Sequence, residues 1–390
     1  MGCCGCLELF SHVKRGHGSE TRSSNRSFLK RLSHEHLLGY KIDDSESSSS
    51  KHRKHGNSIV PFTCYKTSHV VEDESNSRVS TGGRFSNATN NEDLTHKLPV
   101  KLTSRAVRSK DFDGRKMVNE YVRVCLIGTG SYGKVVLYRS QLDGKLYAMK
   151  ILRKSRLRKV RVAPSQTALT DVMREVDIMK HLHHPHIVNL IEVIDDPESD
   201  HFYMVLEYVE GGGIFEGAGP PGGIGEGRAR LYFRDAVEGL LYLHKKNVVH
   251  GDIKPENLLV TTEERIKIGD FSISQIFQDR NDVIQRSPGT PVFTAPECCK
   301  GSPYHGKTAD IWALGVTLYC MLFGCYPFIG ETLQDMYDKI VHDSLYIPDK
   351  SNPHLVDVLE GLLCKEPGMR LSLEGVIRHP WVMGTTGHDA

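Results

Sequence analysis

The chain has 390 residues with 50 basic and 48 acidic side chains, and its formal charge of +2 argues against binding to nucleic acid through charge. Hydrophobic residues at 39% and charged residues at 25% are ordinary for a soluble globular chain. The longest apolar run, 311–323, has 13 residues, whereas a membrane span needs about 20, so we expect a buried core helix there. The ten cysteines are not spaced as a disulfide framework, which predicts a reducing compartment, either cytoplasm or nucleus.

Residues 1–115 are rich in Ser, Asn, His and Lys/Arg, and this composition predicts a mostly disordered N-terminal tail. Gly2 is a candidate for myristoylation, and Cys3, Cys4 and Cys6 are candidates for palmitoylation. Nearby basic residues would add a second contact with an anionic membrane. Cys6 stands where a myristoylation signal has Ser or Thr, so a tail with incidental cysteines is the open alternative.

From residue 121 onward the pattern predicts ordered structure. Strands are expected at 121–127, 134–139, 145–151, 187–194 and 202–207, with a helix at 171–182. Nine glycines within 211–227 predict an irregular loop, and a helix at 228–246 opens a mostly helical region that runs to residue 381. The chain is therefore expected to form an α+β fold, with a small strand-rich lobe, a larger helical lobe and a cleft between them.

A glycine-rich turn lies between the first two predicted strands. Gly128, Gly130 and Gly133 allow the backbone to turn tightly and to present N–H groups to a phosphate chain. A dinucleotide site has the same spacing, but there a helix follows the third glycine, and here 134–139 is predicted as a strand. A hairpin over a nucleotide is favoured, and a plain glycine hairpin is the structural alternative.

Lys150 lies on the third predicted strand, beneath that turn. A lysine in this place neutralises phosphates if an acidic residue holds it, and Glu175 on the following helix is the candidate. Taken alone, Lys150 would be interpreted as an ordinary edge-strand lysine.

A third motif runs from 250 to 257 and is followed by Asp270. Phosphoryl transfer needs a carboxylate that orients the acceptor hydroxyl, and Asp252 meets that need. Lys254 is placed to steady the transferred phosphoryl group, while Asn257 and Asp270 offer oxygen ligands that suit Mg²⁺.

Together, these motifs resemble the eukaryotic protein kinases over residues 121–381, with an N-lobe at 121–209, a C-lobe at 210–381 and a short tail at 382–390. The resemblance implies a two-lobed kinase fold that uses ATP and Mg²⁺. It also implies that Ile127 and Val135 line the nucleotide site and that Glu207 to Val209 form the hinge that binds adenine. Glu297 and Arg370 are expected to form a buried ion pair that anchors the activation segment.

Within the superfamily, the chain resembles calcium/calmodulin-dependent kinase kinases. It is still more similar to the plant kinases that activate the sucrose-non-fermenting-related kinase, which are also called geminivirus-Rep-interacting kinases. The segments 161–167 and 286–299, with Gly251 and Ser272, carry that match. It implies that the substrate is the activation-loop threonine of another kinase and that a viral replication protein is a partner. Only nine residues follow Trp381, so a calmodulin-binding tail is not expected.

Two departures from the general kinase pattern concern regulation. Gly251 stands where most regulated kinases have an arginine that pairs with a phosphorylated activation loop, and Arg286 occupies the usual phosphoacceptor position. We therefore hypothesise that the enzyme is active without activation-loop phosphorylation, and that Thr290 hydrogen-bonds the catalytic Asp252 and Lys254. The competing interpretation is a catalytically silent scaffold that binds a nucleotide or a partner kinase. Ser272 replaces a glycine, so we expect a loop that flips outward less readily.

The insertion at 152–161 has six basic residues in ten and is either a solvated loop or a docking element. Thr167 lies beside these charges, and we hypothesise that it is autophosphorylated. Gly211 to Gly213 stand where arginine-directed kinases usually carry an acidic residue, so recognition of basic residues before the target hydroxyl is not expected.

Overall fold

The computed structural model describes residues 99–130, 132–163, 165–278, 281–285 and 289–384. Residues 1–98 of the predicted tail, which include the acylation candidates Gly2, Cys3, Cys4 and Cys6, lie outside the described residues. Arg286 lies outside them as well.

The small lobe consists of strands and two helices. In chain order its elements are β1 (Lys101–Thr103), β2 (Arg108–Lys110), β3 (Lys116–Val118), β4 (Tyr121–Thr129), β5 (Gly133–Ser140), β6 (Leu146–Arg153), α1 (Lys154–Lys159), β7 (Arg161–Ala163), β8 (Gln166–Thr167), α2 (Ala168–Lys180), β9 (Leu190–Asp195) and β10 (His201–Glu207). Eight strands form one sheet in the order β1-β9-β10-β6-β5-β4-β3-β2, in which β1 and β9 are parallel and the other neighbours are antiparallel.

The register of this sheet places the predicted site residues. Alternate apolar side chains on β5, β6 and β10, among them Val136, Met149 and Val205, are fully buried on one face. Lys150 therefore points to the opposite face, toward the cleft, where it pairs across the ladder with Val135. The alternation of buried and cleft-facing residues thus fixes which strand residues reach a nucleotide.

The ordered fold begins earlier than the sequence analysis predicts. Strands β1 to β3 lie within 101–118, most of which was assigned to the tail, so the predicted boundary at 115 and the start near Tyr121 are wrong. The side chain of Glu192 on β9 is fully buried and accepts hydrogen bonds from Tyr121 Oη at 2.7 Å and from Thr103 Oγ1, and Lys101 Nζ lies 3.2 Å away. These partners are 71 to 91 residues distant in sequence, so no local pattern indicates them.

The basic insertion is partly folded. It forms the short helix α1, in which Leu157 is fully buried against α2, while Lys154 Nζ donates to Asp195 at 3.0 Å. The segment is therefore not a wholly solvated loop, while its arginines remain exposed and the docking role stays a prediction.

The large lobe is mainly helical. Its elements are α3 (Glu226–Lys245), β11 (Val248–Val249), β12 (Leu258–Val260), β13 (Ile266–Ile268), β14 (Gln275–Ile276), β15 (Val283–Ile284), α4 (Pro296–Cys299), β16 (Tyr304–His305), α5 (Gly306–Phe323), α6 (Leu333–His342), α7 (Pro353–Leu362), α8 (Leu373–Val376) and α9 (Pro380–Met383). The apolar run 311–323 lies in α5, which is buried along nearly its whole length. Among the described residues, no helix is both long and apolar enough to span a membrane.

We expect Tyr121→Phe to lower the free energy of unfolding by about 1–3 kcal/mol, because it removes a donor from the buried carboxylate of Glu192. Tyr147→Phe is the matched control, since Tyr147 donates to the exposed Asp143 at 2.6 Å. Urea denaturation of both variants measures the difference. Equal effects would show that the bond from Tyr121 to the buried carboxylate of Glu192 does not stabilise the fold.

Candidate active site

The glycine hairpin between β4 and β5 roofs the cleft. A Cβ atom on Gly133 would lie 2.1 Å from the carbonyl oxygen of Ile151, so the close approach of β6 requires glycine there. A Cβ atom on Gly130 would meet nothing within 4 Å, and one on Gly128 would make only ordinary contact with Val135. The space beside Gly130 is therefore open, which fits a bound phosphate chain.

Lys150 and Glu175 meet across the cleft between β6 and α2. Lys150 Nζ lies 2.7 Å from both carboxylate oxygens of Glu175 and 4.0 Å from Asp270 Oδ1. Burial alone would lower the pKa of Lys150, but the carboxylates of Glu175 and Asp270 outweigh burial and raise that pKa. The ammonium group is thus charged and fixed in direction.

The predicted hinge follows β10 at the back of the cleft. The carboxylate of Glu207 accepts a hydrogen bond from Asn189 Nδ2 at 2.9 Å and pairs with Lys267 Nζ at 3.0 Å. These contacts fix the Glu207 side chain. Val209 is buried. Ile127, on β4, is 41% exposed at the cleft roof.

Asp252 is the centre of a cluster in the large lobe. Its carboxylate lies 2.6 Å from Lys254 Nζ. It also accepts hydrogen bonds from Thr290 Oγ1 at 2.8 Å and from Asn257 Nδ2 at 3.0 Å. Lys254 Nζ also donates to Thr290 Oγ1 at 2.8 Å. The structure thus brings together four residues that the sequence analysis placed in one site, and Thr290 bonds both Asp252 and Lys254.

The backbone before Asp252 is held by a residue whose role the sequence analysis missed. Asp310, near the start of α5, is buried, and its carboxylate accepts from the backbone N–H groups of His250 at 2.9 Å and Gly251 at 2.8 Å. His244 Nε2 lies 3.0 Å from the same carboxylate. An acidic residue beside the most apolar run of the chain was the available signal, because a buried carboxylate requires donors.

Asp270 has a left-handed backbone, with φ of 58°, and its half-exposed carboxylate faces the cleft. Enclosure alone would raise the pKa of Asp270, but attraction to Lys150 and a hydrogen bond from Ser272 lower it below its ordinary value. Phe271 is buried edge-on against His250, with ring centroids 5.1 Å apart. The positive φ falls on Asp270 and not on Ser272, so serine carries no backbone strain in this conformation.

Asn257 and Asp270 fit a Mg²⁺ ion by their chemistry. The amide nitrogen of Asn257 donates to the carbonyl and carboxylate oxygens of Asp252, so its amide oxygen is directed the other way. The lowered pKa of Asp270 keeps its carboxylate ionised at neutral pH. Two hard oxygen donors, completed by phosphate and water, suit this cation.

Glu297 and Arg370 form a bidentate ion pair at the end of the activation segment. The two guanidinium nitrogens of Arg370 lie 2.7 and 2.9 Å from the carboxylate oxygens of Glu297. The Arg370 side chain is fully buried and also donates to the carbonyl oxygens of Thr308 and Cys364. The pair therefore joins the segment to the first turn of α5.

Thr167 precedes α2 and lies opposite Arg161 in the β7–β8 hairpin. Its backbone N–H donates to Thr170 Oγ1 at 2.8 Å, and its side chain is half-buried. The hydroxyl is thus at the N-terminus of the helix that carries Glu175.

We expect Glu297→Gln to lower the free energy of unfolding by about 3–5 kcal/mol, because the buried Arg370 loses its balancing charge. Asp113→Asn is the control, since its pair with Arg115 is largely exposed and is expected to contribute less than about 1 kcal/mol. Chemical denaturation compares the two variants. A loss no larger than that of the control would contradict an anchoring role for the buried pair.

Comparisons with known proteins all indicate the same family. The model of the protein kinase domain matches residues 121–382. The chain is 63% identical over 293 residues to the Arabidopsis thaliana serine/threonine-protein kinase GRIK2 and 62% identical over 294 residues to GRIK1, covering 75% of this chain and 72% and 74% of those proteins. A Caenorhabditis elegans calcium/calmodulin-dependent protein kinase kinase is 39% identical over 287 residues, which cover 68% of this chain and 53% of that protein. The chain belongs to the protein kinase domain family and is an ATP-dependent serine/threonine protein kinase.

Proposed function

We propose that this kinase phosphorylates the activation-loop threonine of a kinase of the sucrose-non-fermenting or AMP-activated type. The observation that carries the proposal is the identity of more than 60% with GRIK1 and GRIK2, which extends over 75% of this chain. By the same resemblance, we propose a geminivirus replication protein as a further partner.

The position of the Glu256 side chain favours a substrate that is not recognised through basic residues. Glu256 lies one residue before Asn257, and its Oε1 accepts a hydrogen bond from the backbone N–H of Gly217 at 2.9 Å. Its Oε2 is buried from solvent. The loop 211–227 thus holds this carboxylate inward. That position fits an enzyme that recognises the folded surface of its substrate kinase.

Each residue of the cluster has a part in the reaction. ATP supplies the phosphoryl group, and Mg²⁺, held by Asn257 and Asp270, would neutralise charge on the phosphates. Lys150, held by Glu175, binds phosphate oxygens and orients them. Asp252 orients the acceptor hydroxyl and takes its proton, while Lys254 stabilises negative charge on the transferred group. The pseudokinase alternative has no observation in its favour, since all six of these side chains are present.

Two regulatory proposals complete this account. We propose that the enzyme is active without a phosphate on its activation loop, because Gly251 provides no cation to receive one. We also propose that Thr167 is autophosphorylated, because a phosphate there would lie at the N-terminus of α2 and opposite Arg161.

The substrate proposal is tested with a catalytically dead sucrose-non-fermenting-related kinase as the phosphate acceptor. We expect transfer from Mg-ATP to its activation-loop threonine, and a loss of roughly 100-fold or more in Asp252→Ala, which removes the group that orients the hydroxyl. Radiolabel transfer and phosphopeptide mapping measure both. Transfer to a generic protein but not to this threonine would refute the substrate while retaining the kinase.

For Thr167, we expect peptide mass spectrometry to find a phosphate after incubation with Mg-ATP and none in Asp252→Ala treated in the same way. The comparison separates autophosphorylation from modification during expression. An active enzyme with no phosphate at Thr167 would rule the proposal out.

A further inference from the structure

A buried aspartate holds the middle of the activation segment to the large lobe. Asp282 is 5% exposed, its Oδ1 lies 2.9 Å from His305 Nδ1, and its Oδ2 accepts from the backbone N–H of Lys307 at 2.6 Å. Its carbonyl oxygen accepts from Gly306 N at 2.9 Å. Asp282 thus makes three contacts with consecutive residues of one turn, 305–307.

That turn is the N-terminus of α5. Helix α5 has 18 residues, and the unpaired N–H groups and dipole at its N-terminus favour a negative charge. Burial alone would raise the pKa of Asp282, but the Lys307 N–H and His305 outweigh burial and lower it. The carboxylate is therefore ionised where it binds.

The residues after Asp282 continue the attachment. Val283 and Ile284, in β15, pair with His305 and Tyr304 in β16. Ile284 is buried with Val249 and Tyr304, and a Cβ atom on Gly306 would lie 2.6 Å from Ile284 Cδ1. The close packing at Gly306 leaves little room for the segment to shift.

This attachment leads directly to the catalytic loop. Val249 precedes His250, and β11, which contains Val249, pairs with β14 at the start of the activation segment. Further along the segment, a Cβ atom on Gly289 would lie 2.6 Å from the Gly251 carbonyl oxygen, and Thr290 bonds Asp252. The segment is thus fixed on the catalytic loop on both sides of Arg286.

In kinases that are regulated through this loop, a phosphate and the cation that binds it fix the activation segment on the catalytic loop. Here the cation is replaced by Gly251, and the usual acceptor position holds Arg286. We infer that Asp282 is a positioning residue, whose fixed negative charge on the N-terminus of α5 holds the activation segment in its substrate-binding conformation without phosphorylation. The inference rests on the kinase activity and is independent of which protein is the substrate.

The test separates charge from shape. Asp282→Asn keeps the shape of the side chain and removes its charge, whereas Asp282→Glu keeps the charge. Asp335→Asn is the matched control, because Asp335 also accepts from a backbone N–H, that of Glu331 at 2.8 Å, and pairs with a cation, Lys339, at 3.2 Å. All are assayed after phosphatase treatment, with any protein that the unchanged enzyme phosphorylates.

We expect Asp282→Asn to lower kcat/KM for the protein substrate about tenfold while KM for ATP stays within about twofold, since Lys150 and Glu175 lie in the other lobe. Asp282→Glu is expected to recover most of the activity, and Asp335→Asn to match the unchanged enzyme. Hydrogen exchange at residues 281–285 is expected to be faster in Asp282→Asn alone.

Full activity in Asp282→Asn would overturn the inference. Equal losses in Asp282→Asn and Asp282→Glu would overturn it too, because they would show that shape rather than charge matters. A parallel rise of KM for ATP would indicate a general structural defect and would also count against it. A failure of the kinase-substrate proposal would appear in the unchanged enzyme, so the two failures are distinguishable.

Discussion

The carboxylate of Asp310 is the contact on which the active site most depends. It binds the backbone N–H groups of His250 and Gly251, and these immediately precede Asp252, for which we propose the role of orienting the acceptor hydroxyl. Asp310 is itself buried, and the helix that follows it is buried from Ile311 to Leu322. The position of Asp252 is thereby set by the core and not by the loop itself.

The same turn also receives the activation segment. Asp282 binds the Lys307 N–H, and Arg370, paired with Glu297, binds the Thr308 carbonyl oxygen. The catalytic loop and two points on the activation segment therefore share one support within about a turn of helix. A phosphate that bridges the activation segment to the catalytic loop would therefore add a connection that the fold already contains. This fits a chain that has Gly251 in place of the cation and Arg286 in place of the phosphoacceptor.

Much of the site could be predicted from sequence because its chemistry dictates residue type and order. The spacing of Lys150, Glu175, Asp252 and Asp270 reflects a strand, a helix and a loop that face one cleft, and each is placed as the pattern indicates. The glycine hairpin is similar in part, since the close approach of β6 requires glycine at 133.

What sequence could not supply were contacts between distant, locally unremarkable residues. Strands β1 to β3 are mostly exposed and short, and β1 is held by Glu192, far along the chain. Leu157 stands in a strongly basic segment, so its burial against α2 has no periodic signal. Asp282 is one acidic residue in a polar loop, and only the fold shows that it meets a helix N-terminus.

We propose that the activation segment is held in its substrate-binding conformation without a phosphate. The most direct measurement is the initial rate of phosphate transfer by enzyme that has been treated with a phosphatase, which is then removed, beside untreated enzyme. We expect the two rates to agree within about twofold, because Asp282, Glu297 and Arg370 hold the segment in both. A fall to background that recovers only after renewed phosphorylation of the activation segment would contradict this proposal.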